Sequence, residues 1–318
     1  MIRLTAVTNM DLTPLVDNWP RDLTDQVEFT WYRKAEEALP HLGETEGLLT
    51  SYRLQDQLLD AAPKLKWVQV SSAGVDMVPL EALADRNIVL TNASGVHSIQ
   101  MSEHALGAML YWARRFREFD RSQQEKRWAR RVPTGELHGQ TVGILGTGSI
   151  GKAIAQKAKA FGMTVYGYNR SGGDSPEYDV TLTGQEGLTR LLRESDYVVS
   201  LLPKTAETEK LLGLEQFQRM KINAYFINLG RGEVVDESAL IQALNEKWIA
   251  GAALDVFEEE PLPEDSPFWE MEQVLLTPHV SGNSPHYVER LAGIYYDNVR
   301  RFLKGEALRN TVDYGAGY

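Results

Sequence analysis

The 318-residue chain contains no cysteine, which excludes disulfides, thiolate metal ligands and a cysteine nucleophile together. It also lacks any apolar run of the ~18 or more residues that a membrane helix needs. Its first twenty residues scatter Arg3, Asp11, Asp17 and Asn18 among the apolar ones, unlike a secretory leader. Basic charge is scarce: 33 Lys and Arg against 44 Asp and Glu leave a net charge of −11. Neither nucleic acid nor an anionic membrane finds a positive field here, so any anionic ligand must be held by a few local cations. Of the six histidines, His279 and His286 lack the i, i+4 spacing of a helical zinc pair, and no metal is expected. These absences describe a cytoplasmic protein without a nucleic-acid or membrane partner.

The chain does hold enough apolar residues, 43%, to build a large core, and its length suggests about two domains of ~150 residues each. Short β-branched and aromatic runs at 2–7, 27–32, 47–50, 65–71 and 88–92 read as strands, with helical patterns at 53–62 and 80–84. Ser98 is placed to cap a long helix over 99–114, whose apolar face includes Met101, Ala105, Ala108 and Met109. Further strands follow at 164–169, 197–202, 225–229, 251–256 and 274–277, with helices at 188–193 and 238–247. Strands alternating with helices imply parallel sheets covered on both faces. The segment 285–304 has Val288, Leu291, Ile294 and Val299 at helical spacing and is expected to return to the first domain. The charged stretch 117–131 reads as a solvated helix face and loop.

The most informative stretch is Thr141 to Lys152, where an apolar strand pattern enters Gly146-Thr147-Gly148-Ser149-Ile150-Gly151 and an alanine-rich helix pattern leaves it. This is the context that a dinucleotide fingerprint requires. Gly146 permits a tight turn, Gly148 lets the backbone approach a pyrophosphate, and Gly151 lets the helix pack closely on the strand. Lys152 completes the letters of a phosphate-binding P-loop, but Ala153 stands where that motif needs Ser or Thr.

Three later loops carry polar chemistry after strand patterns. Asn228-Leu229-Gly230-Arg231-Gly232 sets an arginine between glycines, Leu254-Asp255-Val256-Phe257 runs on to Glu260-Pro261, and Thr277-Pro278-His279 ends in a histidine. All three are expected at the carboxyl edge of the sheet that carries the fingerprint. Upstream, Ser71-Ser72-Ala73-Gly74-Val75-Asp76 is a small-residue turn after a strand. It suits a bare tight turn and a backbone cradle for a carboxylate equally.

In that order, these motifs resemble the signatures of the D-isomer-specific 2-hydroxyacid dehydrogenases, and with the 71–76 turn and Glu103 the likeness extends over nearly the full chain. The resemblance implies two doubly wound, Rossmann-like α/β domains with a cleft between them. Residues 1–98 and 287–318 would bind substrate, and 99–286 the dinucleotide. It implies that Arg231 binds the carboxylate and carbonyl of a small 2-oxoacid, that His279 exchanges a proton with its C2 oxygen, and that Glu260 hydrogen-bonds the histidine. Ala73 and Gly74 would offer backbone N–H groups to the substrate carboxylate. Thr147 to Ile150 would follow the pyrophosphate, Asp255 would lie by the nicotinamide, and Pro203 and Thr208 would line the cofactor loop. A homodimer is implied as well. The residue types suit the reaction: hydride arrival at a carbonyl carbon builds charge on oxygen, which a cation stabilises and an acid neutralises. Histidine is an acid suited to neutral pH, and an adjacent carboxylate favours its charged form.

One position departs from the NAD-specific pattern. Where those members place an acid for the adenosine ribose, this chain has Asn169, 18 residues beyond Gly151, followed by Arg170 and Ser171. Loss of the acid removes repulsion toward a 2′-phosphate, and Arg170 with Ser171 can bind one by charge-assisted hydrogen bonds. NADPH is therefore expected over NADH, with Asp174 as the nearest competing acid. The expected activity is reduction of glyoxylate, hydroxypyruvate or pyruvate to the D-2-hydroxyacid. An NAD-dependent phosphoglycerate or other D-2-hydroxyacid dehydrogenase is the enzymatic alternative, and a nucleotide-sensing corepressor-like protein the non-enzymatic one.

Overall fold

The computed structural model describes residues 1–51, 54–75, 77–173 and 175–315. Arg53, Asp76 and Asp174, each part of a sequence expectation above, lie outside them. The chain divides into two compact units, Met1–His97 with Ser284–Tyr318, and Ser98–Asn283. The sequence pattern places its boundaries at Ile99 and Tyr287.

In the first unit β1 (Ile2–Val7), β2 (Val27–Tyr32), β3 (Gly47–Thr50), β4 (Trp67–Val70) and β5 (Val89–Thr91) form one sheet in the order β2-β1-β3-β4-β5. Every pairing is parallel, so the chain crosses over between neighbours and the sheet is doubly wound. β3 and β4 are buried throughout, which explains why they read as near-continuous apolar runs instead of alternating ones. The returning helix Tyr287–Lys304 buries Leu291, Tyr295 and Val299 in one cluster with Leu4, Leu49 and Trp67. A buried polar chain ties it further: Asn298 Nδ2 donates to Gln69 Oε1 at 3.1 Å, and Gln69 Oε1 also accepts from Thr91 Oγ1 at 2.8 Å.

The second unit has seven strands: β6 (Thr141–Leu145), β7 (Thr164–Tyr168), β8 (Val180–Leu182), β9 (Tyr197–Ser200), β10 (Tyr225–Asn228), β11 (Gly251–Leu254) and β12 (Val274–Leu276). Their order is β12-β11-β10-β9-β6-β7-β8, and all pairings are parallel. Side chains alternate between two cores, as a pleated strand requires. Tyr197, Val199, Tyr225, Ile227 and Ala253 face the helices Ser98–Ala113 and Ser149–Ala160. Val198, Phe226, Ala252 and Leu254 face the helices Gly184–Glu194 and Glu237–Asn245.

Some local expectations change. Several strands end one or two residues earlier than their apolar patterns, although Leu201 and Leu229 still donate to the Leu145 and Ser200 carbonyls at 2.8 and 3.0 Å and pack into the core behind the sheet. β8 has no strong sequence signal, being three half-buried residues at the sheet edge. Ser98 is the first residue of its helix and does not stand outside it as a cap, a difference within the one- or two-residue ambiguity of helix ends.

Candidate active site

Register decides what can meet in the second unit. Tyr168, Leu145, Ser200, Asn228, Leu254 and Leu276 pair in turn across the sheet from β7 to β12. The loops that follow them therefore leave from one level edge. Strand order reverses at β6 and β9, and the carboxyl ends flanking such a reversal are where doubly wound sheets take ligands.

The fingerprint lies at that point. Gly146 has φ of +103°, a left-handed conformation that other residues rarely adopt. A Cβ on Gly151 would stand 2.3 Å from the Gly146 carbonyl oxygen, so the helix can approach the turn only with glycine there. A Cβ on Gly148 would meet nothing within 4 Å. Gly148 precedes the helix Ser149–Ala160 and provides no side-chain cap. Among the described residues the N–H groups of Ser149, Ile150 and Gly151 have no acceptor. Unsatisfied N–H groups at a helix start, behind a turn open to solvent, fit a pyrophosphate.

Asn169 follows β7 and joins the fingerprint to the next loop. Its Nδ2 donates to Thr147 Oγ1 at 3.0 Å and to the Gly173 carbonyl at 3.3 Å, while its Oδ1 accepts from the Gly172 N–H at 2.6 Å and Ser171 Oγ at 3.3 Å. The side chain thus folds the 170–173 loop, a role that its identity as a missing acid did not suggest. Arg170 is exposed, with an Nη1 3.9 Å from Glu207 Oε2. Glu207 belongs to the 203–208 loop, which Thr208 shapes by donating its hydroxyl to the Pro203 carbonyl at 2.6 Å.

The polar residues after β10, β11 and β12 are locked by side chain to backbone bonds. Asn228 Nδ2 donates to the Arg231 carbonyl at 3.0 Å and its Oδ1 accepts from the Gly230 N–H at 3.2 Å, closing the turn that presents Arg231. Arg231 itself donates from Nη1 to the Gly230 carbonyl at 3.0 Å. Asp255 is fully buried, and its carboxylate takes Thr277 Oγ1 at 2.5 Å, the Val280 N–H at 2.9 Å and the Ser281 N–H at 2.9 Å. Expected beside a nicotinamide, it is seen to organise the loop that carries His279. The sequence signal for that role is Thr277, whose hydroxyl completes the set.

His279 has φ of +53°, a strained left-handed backbone for a non-glycine residue. Its N–H donates to the Asp255 carbonyl at 2.8 Å. Its Nδ1 is 2.7 Å from Glu260 Oε2, and Glu260 Oε1 accepts the Phe257 N–H at 3.1 Å. Both carboxylate oxygens of Glu260 are thus engaged. With Nδ1 committed to the carboxylate, the imidazole can hold or give a proton only at Nε2. The His279 side chain is 50% exposed.

The turn after β4 in the first unit is arranged differently. Its carbonyls are all engaged: Ser71 by the Tyr287 hydroxyl, Ser72 by the Ala93 N–H at 2.8 Å, Ala73 by Asn92 Nδ2 at 2.9 Å, and Gly74 by Ser72 Oγ at 2.6 Å. The N–H groups of Ala73 and Gly74 are without an acceptor among the described residues. Both readings of this turn, a bare tight turn and an anion cradle, are compatible with that arrangement.

A dinucleotide turn at the switch point and an acid–histidine pair on the same sheet edge are what a nicotinamide-dependent oxidoreductase needs. Comparison with known proteins agrees. Residues 106–281 match the family of D-isomer-specific 2-hydroxyacid dehydrogenases, NAD-binding domain. A glyoxylate reductase of Korarchaeum cryptofilum is 37% identical over 262 residues, covering 81% of this chain and 79% of its own. A D-3-phosphoglycerate dehydrogenase of Methanocaldococcus jannaschii is 33% identical over 292 residues, 91% of this chain and 55% of that longer protein. Among solved structures, a D-isomer-specific 2-hydroxyacid dehydrogenase of Xanthobacter autotrophicus, in complex with NADPH and MES, superposes with a TM-score of 0.85 at 32% identity, covering 99% of each chain. An NADPH-dependent glyoxylate/hydroxypyruvate reductase of Sinorhizobium meliloti, bound to NADP and sulfate, gives 0.85 at 28% identity over 100% of both chains. The chain belongs to the D-isomer-specific 2-hydroxyacid dehydrogenase family and is an oxidoreductase that uses a nicotinamide cofactor. No helix among the described residues is long and apolar enough to cross a membrane.

Proposed function

We propose that this enzyme reduces a small 2-oxoacid, of the glyoxylate, hydroxypyruvate or pyruvate kind, to the D-2-hydroxyacid, and that it prefers NADPH to NADH. The observation that carries the reading is the His279 Nδ1 to Glu260 Oε2 contact of 2.7 Å, on the same strand-end edge as the fingerprint. When bound, the nicotinamide supplies the hydride. His279 gives its Nε2 proton to the C2 oxygen as charge builds there, and Glu260 keeps the ring oriented through its contact with Nδ1. Arg231 binds the carboxylate and stabilises the developing oxyanion. Gly146, Thr147, Gly148, Ser149, Ile150 and Gly151 hold the pyrophosphate, with Asn169 shaping the loop beside them and Pro203, Thr208 and Asp255 keeping the neighbouring loops in form.

The cofactor preference rests on Arg170 and Ser171 beside a neutral Asn169. Glu207 competes for Arg170, but at 3.9 Å with both side chains about 70% exposed the pair is weak and screened, so a 2′-phosphate displaces it. NADPH-bound and NADP-bound relatives support this choice. Family membership supports a homodimer, which sedimentation at micromolar concentration tests.

The deciding experiment is initial-rate reduction of glyoxylate, hydroxypyruvate, pyruvate, phenylpyruvate and 2-ketoisocaproate with each cofactor. Turnover of the small 2-oxoacids with higher kcat/KM for NADPH is expected. Equal efficiency with NADH rejects the preference, and stoichiometric cofactor binding without turnover favours a sensing role. The phosphoglycerate dehydrogenase relative gives the second reading, distinguished by oxidation of 3-phosphoglycerate with NAD.

A further inference from the structure

Two acidic residues outside the pair just described hold its loops together. Glu237 opens the helix Glu237–Asn245, a few residues after Arg231, and Glu258 precedes Glu260. The two exchange reciprocal bonds: the Glu258 N–H donates to Glu237 Oε1 at 2.7 Å, and the Glu237 N–H donates to Glu258 Oε1 at 3.2 Å. Lys210 Nζ lies 3.5 Å from Glu258 Oε1 and balances the two carboxylates. Between them the backbones touch, since a Cβ on Gly232 would stand 1.9 Å from the Phe257 carbonyl carbon and 2.5 Å from the Glu258 nitrogen. The next amide along, that of Phe257, anchors Glu260 Oε1 at 3.1 Å.

The Arg231 loop and the Glu260 loop are therefore joined at one backbone contact, flanked on one side by the glutamate exchange and on the other by the anchor of Glu260. We propose that Glu237 and Glu258 form a clasp that sets the Arg231 loop against Glu260 and its partner His279, which makes Glu237 a positioning residue for 2-oxoacid reduction. The purpose rests on the reaction proposed above; the clasp itself rests on contacts within one unit. Because Arg231 and His279 act on neighbouring atoms of one substrate, a shift of about 1 Å between their loops costs on the order of 100-fold in rate.

The Glu237 carboxyl is pushed up by burial; the Glu258 N–H draws it down, the Glu258 charge adds to the rise and Lys210 opposes it. An acid raised in the folded state contributes stability below its unfolded value and loses it as pH rises through the folded one. Once ionised, Glu237 is retained at a cost to stability, as expected of a group kept for geometry. Glu237→Gln keeps an oxygen acceptor for the Glu258 N–H and removes the charge, so the fold tolerates it.

The test compares Glu237→Ala and Glu237→Gln with the wild-type enzyme by residue-resolved amide hydrogen exchange and by steady-state kinetics. In Glu237→Ala, exchange at the Phe257 and Glu258 amides is expected to rise tenfold or more. With it, kcat/KM for the 2-oxoacid falls about tenfold while the NADPH Kd stays within twofold. Glu237→Gln is expected to stay within threefold of wild type on each measure. Unchanged exchange at Phe257 in Glu237→Ala overturns the clasp, as does a lowered Tm with unchanged kcat/KM, or a Gln variant as impaired as the Ala variant. If the wild-type enzyme turns over no 2-oxoacid, the assigned reaction fails, and exchange at Phe257 still decides whether Glu237 holds the Glu260 loop.

Discussion

His279 shows how much of this site is decided by single side chains. Its Nδ1 is committed to Glu260 and its backbone N–H to the Asp255 carbonyl, so the ring has one free nitrogen and one direction to act. Replacing it by alanine is expected to lower kcat by about 10²–10⁴-fold with the NADPH Kd unchanged, measured by single-turnover kinetics and cofactor fluorescence. A loss confined to cofactor binding would reject the proton-transfer role. The proposed cofactor preference rests on a second residue, Arg170. A charged hydrogen bond contributes ~1.5–3 kcal/mol, so Arg170→Ala should cut kcat/KM for NADPH about tenfold or more and leave that for NADH nearly constant. Parallel initial rates with both cofactors decide this, and an equal fall for both would show that Arg170 does not read the 2′-phosphate.

Elements, not residues, set the clearances. The backbone at Gly232 lies against the Phe257–Glu258 peptide, where a Cβ would come within 2.0 Å of the Phe257 carbonyl oxygen. Backbone cannot yield as a flexible side chain can, so Gly232→Ala should destabilise by at least the ~1–3 kcal/mol typical of overpacking and lower Tm together with activity. Wild-type Tm and kcat in this variant would show that the two loops separate freely. Such requirements are only partly legible in sequence. Glycine between Arg231 and Glu233 announces a tight loop, but not which loop it touches, because Phe257 is brought there by the pairing of β10 with β11. Asn169 is similar. Its identity points to the cofactor's ribose end, while its bonds to Thr147 and Gly172 depend on β7 lying beside β6.

At the scale of the whole molecule, each unit closes around its own sheet, and the first depends on a segment from the far end of the chain. Asn298 links the helix Tyr287–Lys304 to Gln69 and accepts the Arg309 N–H at 2.7 Å. Asn298→Ala removes the helix's bond to the buried Gln69 and the acceptor of the Arg309 N–H, and is expected to cost about 1–3 kcal/mol, read as a lower urea midpoint at constant m-value. An unchanged midpoint would mean that apolar packing alone secures the helix.

By itself the sequence determined what is local: the alternation of strands and helices, the strand, turn and helix around Gly146 to Gly151, and the residue types Arg231, Glu260 and His279 in their loops. Periodicity and glycine placement act over a few residues, so they are readable without the fold. Only the tertiary structure decided that Asp255 turns inward to hold residues 277–281, and that Glu237 reaches Glu258. The physical reason is the register: parallel strands far apart in the chain end level with one another, and the contacts between their loops exist only once the sheet has formed.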